Sequence, residues 1–179
     1  MERASWLLSG GRMNYAARLR ELIRPGRALM VPGAHDPLAG LLARRAGFEA
    51  LYLSGAALTA RQGFPDLGLL TTDELVAAAR SIVRASDLPL IVDGDTGYGE
   101  VLNILRLVRE LDEAGVAAVH IEDQEMPKRC GHLEGKRLVP VAEMVSRLRA
   151  ALKARRDMLI IARTDAAGVT GVEDAITRS

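Results

Sequence analysis

Residues 112–123 read DEAGVAAVHIED, and residues 44–55 read RRAGFEALYLSG. Both stretches pass from the end of a helix, through a glycine, into a short strand that finishes in polar residues. Gly47 and Gly115 stand where a helix needs a left-handed residue after its last turn. The strands that follow are almost continuously apolar, which is typical of a parallel sheet covered on both faces.

The same strand pattern recurs elsewhere in the chain, and helical segments alternate with it. We predict five strands, over residues 28–31, 50–53, 90–93, 118–121 and 158–162. We predict helices over residues 37–47, 71–86, 101–115 and 143–155. The first of these helices is weakened by Gly40. Strands that alternate with helices indicate an α/β protein.

Apolar stripes at helical spacing mark the faces expected to pack on the sheet. Helix 71–86 also begins with Thr71 and Glu74 at capping-box spacing. Its predicted stripe is Leu75, Val76, Ala79, Ile82 and Val83. The stripe of the next helix is Val101, Leu105, Val108 and Leu111, and that of the last is Met144, Val145, Leu148, Ala151 and Leu152.

Polar residues at the strand ends decide between a barrel and an open sheet. They come from four different strands: Ser54, Asp93, Asp95, Glu122, Arg163 and Asp165. A (β/α)8 barrel of the TIM type keeps its active site at these carboxyl ends. An open doubly wound sheet usually carries a glycine-rich phosphate loop instead, and the glycines of residues 93–99 fit no such spacing.

The chain is too short to close that barrel. Typical barrels need about 250 residues, and this chain has 179. We therefore expect one partial barrel domain over residues 1–179, truncated to about the first five βα units, with the C-terminal third missing. Residues 1–17 are expected to be an N-terminal extension, with Met1 and Met13 both candidates for the start.

The composition excludes several classes of partner. Lys and Arg total 24 against 23 Asp and Glu, a net charge of +1, so we expect neither a nucleic acid nor a membrane as partner. One cysteine excludes an internal disulfide and a cysteine-rich zinc site. The apolar run near the start is too short for a signal peptide. We expect a protein of the cytoplasm.

Carboxylates at neighbouring strand ends predict a metal site. Asp93 and Asp95 follow one strand two residues apart, and Glu122 ends the next. An all-oxygen cluster suits Mg²⁺, with Mn²⁺ as the alternative ion. The purely structural interpretation is that Asp93 ends a strand and Asp95 starts a turn. His120 is equally open: it is either a core residue or a site residue beside Glu122.

Four motifs, in this order and spacing, resemble the isocitrate lyase and phosphoenolpyruvate mutase superfamily, and most of all its 2-methylisocitrate lyases. They are YLSGAALTARQGFPDLGLLT (52–71), VDGDTGYG (92–99), HIEDQEMPKRCGH (120–132) and IIARTDA (160–166). The resemblance covers the chain from about residue 18 onward. It implies a (β/α)8 barrel that needs Mg²⁺, binds a small carboxylic acid substrate and assembles as a homo-tetramer.

The resemblance also implies roles for individual residues. Asp95 would bind the metal directly, and Asp66, Asp93 and Glu122 would hold it through water. The backbone of Ser54, Gly55 and Ala56 would bind the α-keto acid end of the substrate. Arg163 would bind a carboxylate, and it would otherwise only pair with Asp165. Further substrate contacts would come from Asp95, His120, Gly131 and His132.

The single cysteine lies in the segment PKRCGHLEGK (127–136), which the resemblance implies is a loop that closes over the site. Cys130 would protonate the carbon left when a carbon–carbon bond breaks, with Lys128, His132 and Arg163 as further catalytic residues. Neighbouring basic groups favour ionisation of a thiol. The implied reaction is cleavage of 2-methylisocitrate, or of a close 2-hydroxy tricarboxylate or substituted malate, to pyruvate and succinate.

Other activities of the same superfamily stay open. They are cleavage of dimethylmalate, hydrolysis or decarboxylation of oxaloacetate, and phosphonate mutation; a non-catalytic product of a truncated gene is a further alternative. The phosphonate enzymes generally lack a cysteine in this loop. Cys130 therefore favours a carbon–carbon lyase.

Overall fold

The fold is a single parallel sheet with helices between its strands, as seen in a computed structural model that describes residues 13–131 and 133–179. The strands are β1 (Leu51–Leu53), β2 (Leu90–Asp93), β3 (Ala118–Glu122) and β4 (Leu159–Arg163). Each pairs in parallel with the next along the chain. Successive parallel neighbours joined by helices are the wall of a (β/α)8 barrel of the TIM type, and the predicted fold class is confirmed.

The prediction of a strand over residues 28–31, the first of the five along the chain, is wrong. The chain touches β1 only just beyond it, through one parallel bridge between Gly33 and Tyr52. Tyr52 N donates to Pro32 O at 3.0 Å, and Ala34 N donates to Tyr52 O at 2.8 Å. The next rung back would need an N–H from Pro32, which proline lacks, so the ladder stops there.

Seven α-helices and one 3₁₀ turn accompany the strands in the described ranges. The helices are α1 (Tyr15–Leu22), α2 (Pro37–Arg45), α3 (Gly55–Arg61), α4 (Thr72–Ser86), α5 (Val101–Glu113), α6 (Val141–Ala154) and α7 (Val172–Arg178). The 3₁₀ turn is Ala166–Gly168. All four predicted helices are present. The left-handed residues predicted after α2 and α5 are confirmed, because Gly47 and Gly115 have φ of 86° and 85°.

Helix α4 matches its sequence pattern in full. Thr71 Oγ1 accepts from Glu74 N, and the Glu74 carboxylate accepts in return from Thr71 N at 2.7 Å, which completes a capping box. All five residues of the predicted stripe are buried. The stripe packs into the main core, which lies between the sheet and the helices.

The predicted stripes of α5 and α6 are correct only in part. Val108 and Leu111 of α5 are buried as expected, but Val101 is exposed and Ile104 is buried in its place. In α6 the buried face is shifted toward Ala150 and Ala154, leaving Val145 and Leu152 at the surface. Each helix carries more apolar residues than one face can bury, so the sequence alone does not fix which edge of the stripe turns inward.

Gly40, which weakens the predicted helix α2, has a packing role. A Cβ at this position would lie 3.2 Å from Ser86 Cβ and 3.5 Å from side-chain carbons of Ile82 and Leu51. Helices α2 and α4 therefore approach so closely at this point that a side chain would require one of them to shift. Among the described residues, no helix combines the length and the apolar character needed to cross a bilayer.

Candidate active site

The carboxyl ends of the four strands bring the predicted site residues to one edge of the sheet. Asp93 lies opposite His120, and Glu122 lies opposite Arg163, in the parallel register. Glu122 N donates to Asp95 O at 2.9 Å, so the turn after β2 is joined to the end of β3. The expected proximity of Asp95 and Glu122 is thus confirmed at the backbone.

Asp93 is buried and anchors the turn above it. Its Oδ2 accepts from Gly55 N at 3.1 Å, and its Oδ1 accepts from Asp95 N at 3.1 Å. A Cβ placed on Gly55 would lie 3.4 Å from Asp93 Oδ2 and 3.5 Å from Asp95 Oδ1. The two carboxylates therefore converge on Gly55, beside Ser54, whose side chain caps α3 by accepting from Ala57 N.

Lys128 brings the cysteine loop, residues 125–137, onto these carboxylates. Its Nζ lies 2.7 Å from Asp95 Oδ1 and 2.5 Å from Asp66 Oδ1, and the residue is only 4% exposed. The backbone of Asp95 is left-handed, with φ of 45°. Two of the four carboxylates predicted to hold a metal, Asp66 and Asp95, therefore meet the predicted loop at this ammonium group.

Burial and like charge govern ionisation at Asp95. Burial and the neighbouring Asp93 carboxylate raise the pKa of Asp95 to about 6, although Lys128 acts in the opposite direction. Burial alone would lower the pKa of Lys128, but Asp95 and Asp66 outweigh it and raise that pKa. The site thus holds more negative charge than Lys128 alone neutralises.

Glu122 and Arg163 form the next part of the edge. Arg163 Nε lies 3.5 Å from Glu122 Oε2, and Arg163 Nη2 donates to Asp165 Oδ1 at 3.3 Å. Burial raises the pKa of Glu122 to about 8, with Arg163 opposing the rise. A Cβ on Gly131 would lie 2.6 Å from Arg163 Nη2, so the loop backbone lies directly against this guanidinium, and any side chain at this position would displace it.

His120 has a partner that the sequence analysis missed. Its Nε2 is hydrogen-bonded to the Tyr52 hydroxyl and lies 3.4 Å from Asp93 Oδ1, and the two rings are stacked. Burial lowers the pKa of His120, which favours the neutral ring. Tyr52 precedes Ser54 by two residues, so the alternation along β1 was the signal that could have found it.

Cys130 lies half-buried in the loop and forms no disulfide. Of the cations beside it in sequence, Lys128 pairs with Asp66 and Asp95, and Arg129 Nη1 donates to Glu134 O at 3.3 Å. His132 lies outside the described residues. Gln124 was not predicted from the sequence as a site residue. Its side chain binds the backbone of Arg129 and so holds the base of the loop.

The donor chemistry of this edge fits a divalent cation. Within residues 13–131 and 133–179, no three histidine, cysteine, aspartate or glutamate side chains already converge as a complete ligand set. The four predicted carboxylates, of Asp66, Asp93, Asp95 and Glu122, nevertheless face two cationic side chains, those of Lys128 and Arg163. Carboxylate oxygens are hard ligands of the kind that Mg²⁺ or Mn²⁺ prefers, and a bound divalent cation would favour the ionised forms of Asp95 and Glu122, whose pKa values are raised.

Known proteins are similar to this chain in sequence and in fold. The phosphoenolpyruvate phosphomutase family model matches residues 19–179. The chain is 50% identical to a 2-methylisocitrate lyase of Bacillus subtilis over 177 residues, which are 98% of this chain and 59% of that protein.

Two solved structures give the same result. A 2,3-dimethylmalate lyase, described as a PEP mutase/isocitrate lyase superfamily member, aligns with a TM-score of 0.86 and 41% identity over 93% of this chain and 57% of its own. Phosphonopyruvate hydrolase in complex with oxalate and Mg²⁺ aligns with a TM-score of 0.83 and 32% identity, over 93% and 58% of the two chains. The chain thus spans somewhat more than half the length of these relatives, and it belongs to the phosphoenolpyruvate mutase and isocitrate lyase superfamily.

Proposed function

We propose that the protein containing this chain is a Mg²⁺-dependent carbon–carbon lyase that cleaves 2-methylisocitrate to pyruvate and succinate, or a close 2-hydroxy tricarboxylate or substituted malate to the corresponding 2-oxo acid and carboxylic acid. The observation that carries the proposal is the ion pairing of Lys128 with Asp66 and Asp95, which joins the cysteine loop to the carboxylate edge. The 50% identity to the Bacillus subtilis 2-methylisocitrate lyase supports the substrate.

Asp95 is proposed to hold Mg²⁺ directly, with Asp66, Asp93 and Glu122 holding it through water. When bound, the ion would act as a Lewis acid on the oxygens at the α-hydroxy acid end of the substrate. The oxalate and Mg²⁺ in the phosphonopyruvate hydrolase complex support this assignment, because oxalate is a small dicarboxylate.

The chain's own side chains would bind and orient the substrate around that point. Arg163, whose guanidinium remains partly exposed at the edge, would bind a substrate carboxylate. The turn that begins at Ser54, through the backbone of Gly55 and Ala56, would face the keto acid end. His120 and Gly131 would complete this wall, and His132 would bind the distal carboxylate.

The bond changes require one proton to leave and one to arrive. The hydroxyl gives up its proton as its carbon becomes a carbonyl, and the adjacent carbon–carbon bond breaks. The electron pair moves to the carbon next to the second carboxylate. Cys130 would deliver a proton to that carbon, so the products are pyruvate and succinate without any oxidant or added water.

The remaining properties are proposed on the same grounds. The chain would be a single partial barrel domain within a longer protein, and that protein would act in the cytoplasm as a homo-oligomer, a tetramer by resemblance. Its substrate would be a small carboxylic acid in propionate catabolism, and the near-neutral charge gives no support to a nucleic-acid partner.

An assay of the released products on the full-length protein, with pyruvate, glyoxylate and oxalate all measured, tests the function. The substrates compared are 2-methylisocitrate, isocitrate, 2,3-dimethylmalate and oxaloacetate, each with Mg²⁺. We expect the highest kcat/KM with 2-methylisocitrate. A higher value with dimethylmalate would instead favour the second candidate, which the alignment to 2,3-dimethylmalate lyase supports. No carbon–carbon cleavage of any of the four would overturn the lyase assignment.

A further inference from the structure

One buried carboxamide holds the residue next to Cys130. Gln124 is 1% exposed and lies two residues beyond the end of β3. Its Oε1 accepts from Arg129 N at 2.9 Å, while its Nε2 donates to Arg129 O at 3.0 Å. Both polar groups of the Arg129 backbone are thus bound by a single side chain, and the next residue along the loop carries the thiol.

The backbone around Gln124 closes the loop at its base. Gln124 and Leu138 form an antiparallel bridge. Beside that bridge, Glu125 N donates to Arg137 O at 2.8 Å, and Val139 N donates to Asp123 O at 2.9 Å. The loop over residues 125–137 therefore leaves and rejoins the fold at one narrow neck, and Gln124 lies in that neck.

The same carboxamide also reaches the substrate side of the site. Gln124 Nε2 makes its second donation to Asp165 Oδ2 at 2.8 Å, and the other oxygen of Asp165 accepts from Arg163 Nη2 at 3.3 Å. Asp165 is itself held in place, because its N–H donates to Asp123 Oδ1 at 3.0 Å. A continuous line of hydrogen bonds therefore runs from Arg163 to the peptide that precedes Cys130.

We propose that Gln124 is a positioning residue that fixes the cysteine loop relative to Arg163, so that the thiol and the carboxylate-binding guanidinium keep one mutual placement. Its catalytic consequence rests on the proposed lyase function. The residue type fits the role, because only an amide of this length supplies one acceptor and two donors. A carboxylate would lose both donations and would place negative charge against Asp165.

The first measurement is the rate at which iodoacetamide alkylates Cys130 in the ligand-free full-length protein, followed by mass spectrometry. Gln124→Met keeps the shape and removes the hydrogen bonds. The matched control is Gln62→Met, at the only other glutamine of the chain, which is exposed at the end of α3. We expect alkylation about 3- to 30-fold faster in Gln124→Met, since two hydrogen bonds to the loop are lost, and unchanged in Gln62→Met.

The second measurement is steady-state kinetics on the best substrate. We expect Gln124→Met to lower kcat by about 10-fold or more with KM changed less, because misplacement costs rate rather than ground-state binding. Gln124→Glu is the second variant, should Gln124→Met fail to fold, and the same changes are expected from it. Melting curves establish that each variant is folded.

The outcomes separate this proposal from the proposed function. If the wild-type protein cleaves none of the substrates, the lyase function fails, and the alkylation rates alone decide the role of Gln124. If the wild type is active and folded Gln124 variants match it in alkylation rate, the positioning role is overturned. Faster alkylation with an unchanged kcat would also overturn it, because the loop would then move without consequence for the reaction.

Discussion

The middle of strand β3 and the carboxylates at the carboxyl edge of the sheet are both buried but chemically opposite. In β3, Val119 and Ile121 are fully buried among apolar neighbours, and their burial favours folding. One residue further, Glu122 is 3% exposed, and its pKa rises to about 8 because its charge has been removed from water. Burial thus stabilises the fold in the core, whereas burial of ionisable groups at the edge lowers stability. Such a cost is expected of a functional site.

The largest expected effect comes from removing the metal at the edge. A chelator should abolish activity of the full-length protein, and Mg²⁺ or Mn²⁺ should restore it. Asp95→Ala should weaken Mg²⁺ activation by more than about 100-fold, since outer-sphere partners such as the proposed Asp66 typically account for about 10–100-fold. Titration of activity with Mg²⁺ in the Asp95→Ala and Asp66→Ala variants measures how far each substitution weakens activation by the metal. Full turnover in chelator would remove the metal from the proposed mechanism.

Cys130→Ser should affect the reaction without affecting the fold. A serine hydroxyl is a far weaker acid than a thiol, and general acid catalysis typically contributes about 10²–10⁴-fold, so kcat should fall within that range. KM should change little, because the groups proposed to bind the substrate remain. Steady-state kinetics measure the changes in kcat and KM, and a melting curve measures whether the fold is preserved. A raised KM with wild-type kcat would mean that Cys130 only packs the loop.

For a core residue we expect the reverse of Cys130→Ser: the substitution should lower stability and leave activity almost unchanged. Leu111→Ala removes a fully buried side chain of α5 and should lower the free energy of unfolding by about 2–5 kcal/mol. The kcat at a temperature well below the melting point should stay within about twofold of wild type. Leu102→Ala on the same helix is the control: Leu102 is 77% exposed, so its change should stay within about 0.5 kcal/mol. Denaturant titration provides the comparison, and equal losses from both variants would contradict the described packing of α5.

The smallest effect is expected at the start of α4. Thr71→Ala removes the side chain that caps the helix and should lower the free energy of unfolding by about 1 kcal/mol. Thr72→Ala, at the next residue and outside the capping box, should cost nothing or stabilise slightly through the higher helix propensity of alanine. Activity should be unchanged in both. If Thr72→Ala were the more damaging variant, the helix would begin elsewhere.

The sequence predicts most of the edge because strand ends are easy to locate. Asp93, Asp95 and Glu122 follow apolar runs directly, and parallel strands end together. The resemblance to a known superfamily then supplied roles that spacing could not. Tyr52 and Gln124 were missed because their partners, His120 and the Arg129 backbone, are distant or depend on how a loop folds back.

Other features could not be predicted from the sequence, because they depend on tertiary contacts that no local sequence pattern reveals. The predicted strand over residues 28–31 has suitable composition, but the chain meets β1 at Gly33, where Pro32 ends the ladder. In α6, Arg147 lies on the buried side, donating to Gln124 O at 3.0 Å, whereas Val145 is exposed. An arginine that binds strand-end carbonyls overrides the hydrophobic stripe, and periodicity does not reveal it.

The close packing at Gly40 affects the choice of substitutions for raising thermostability. Replacing a glycine in the middle of a helix by alanine is a standard route to thermostability, because alanine favours the helix by about 1 kcal/mol. At Gly40 the new methyl group would meet Ser86 Cβ at 3.2 Å, and α2 would have to shift by a few tenths of an ångström away from α4. Gly47, two residues past the end of α2, is unsuitable for a different reason, since its φ of 86° strains any side chain. At Gly40 the gain in helix propensity is therefore opposed by the cost of moving α2, and at Gly47 alanine brings backbone strain with no gain in helix propensity.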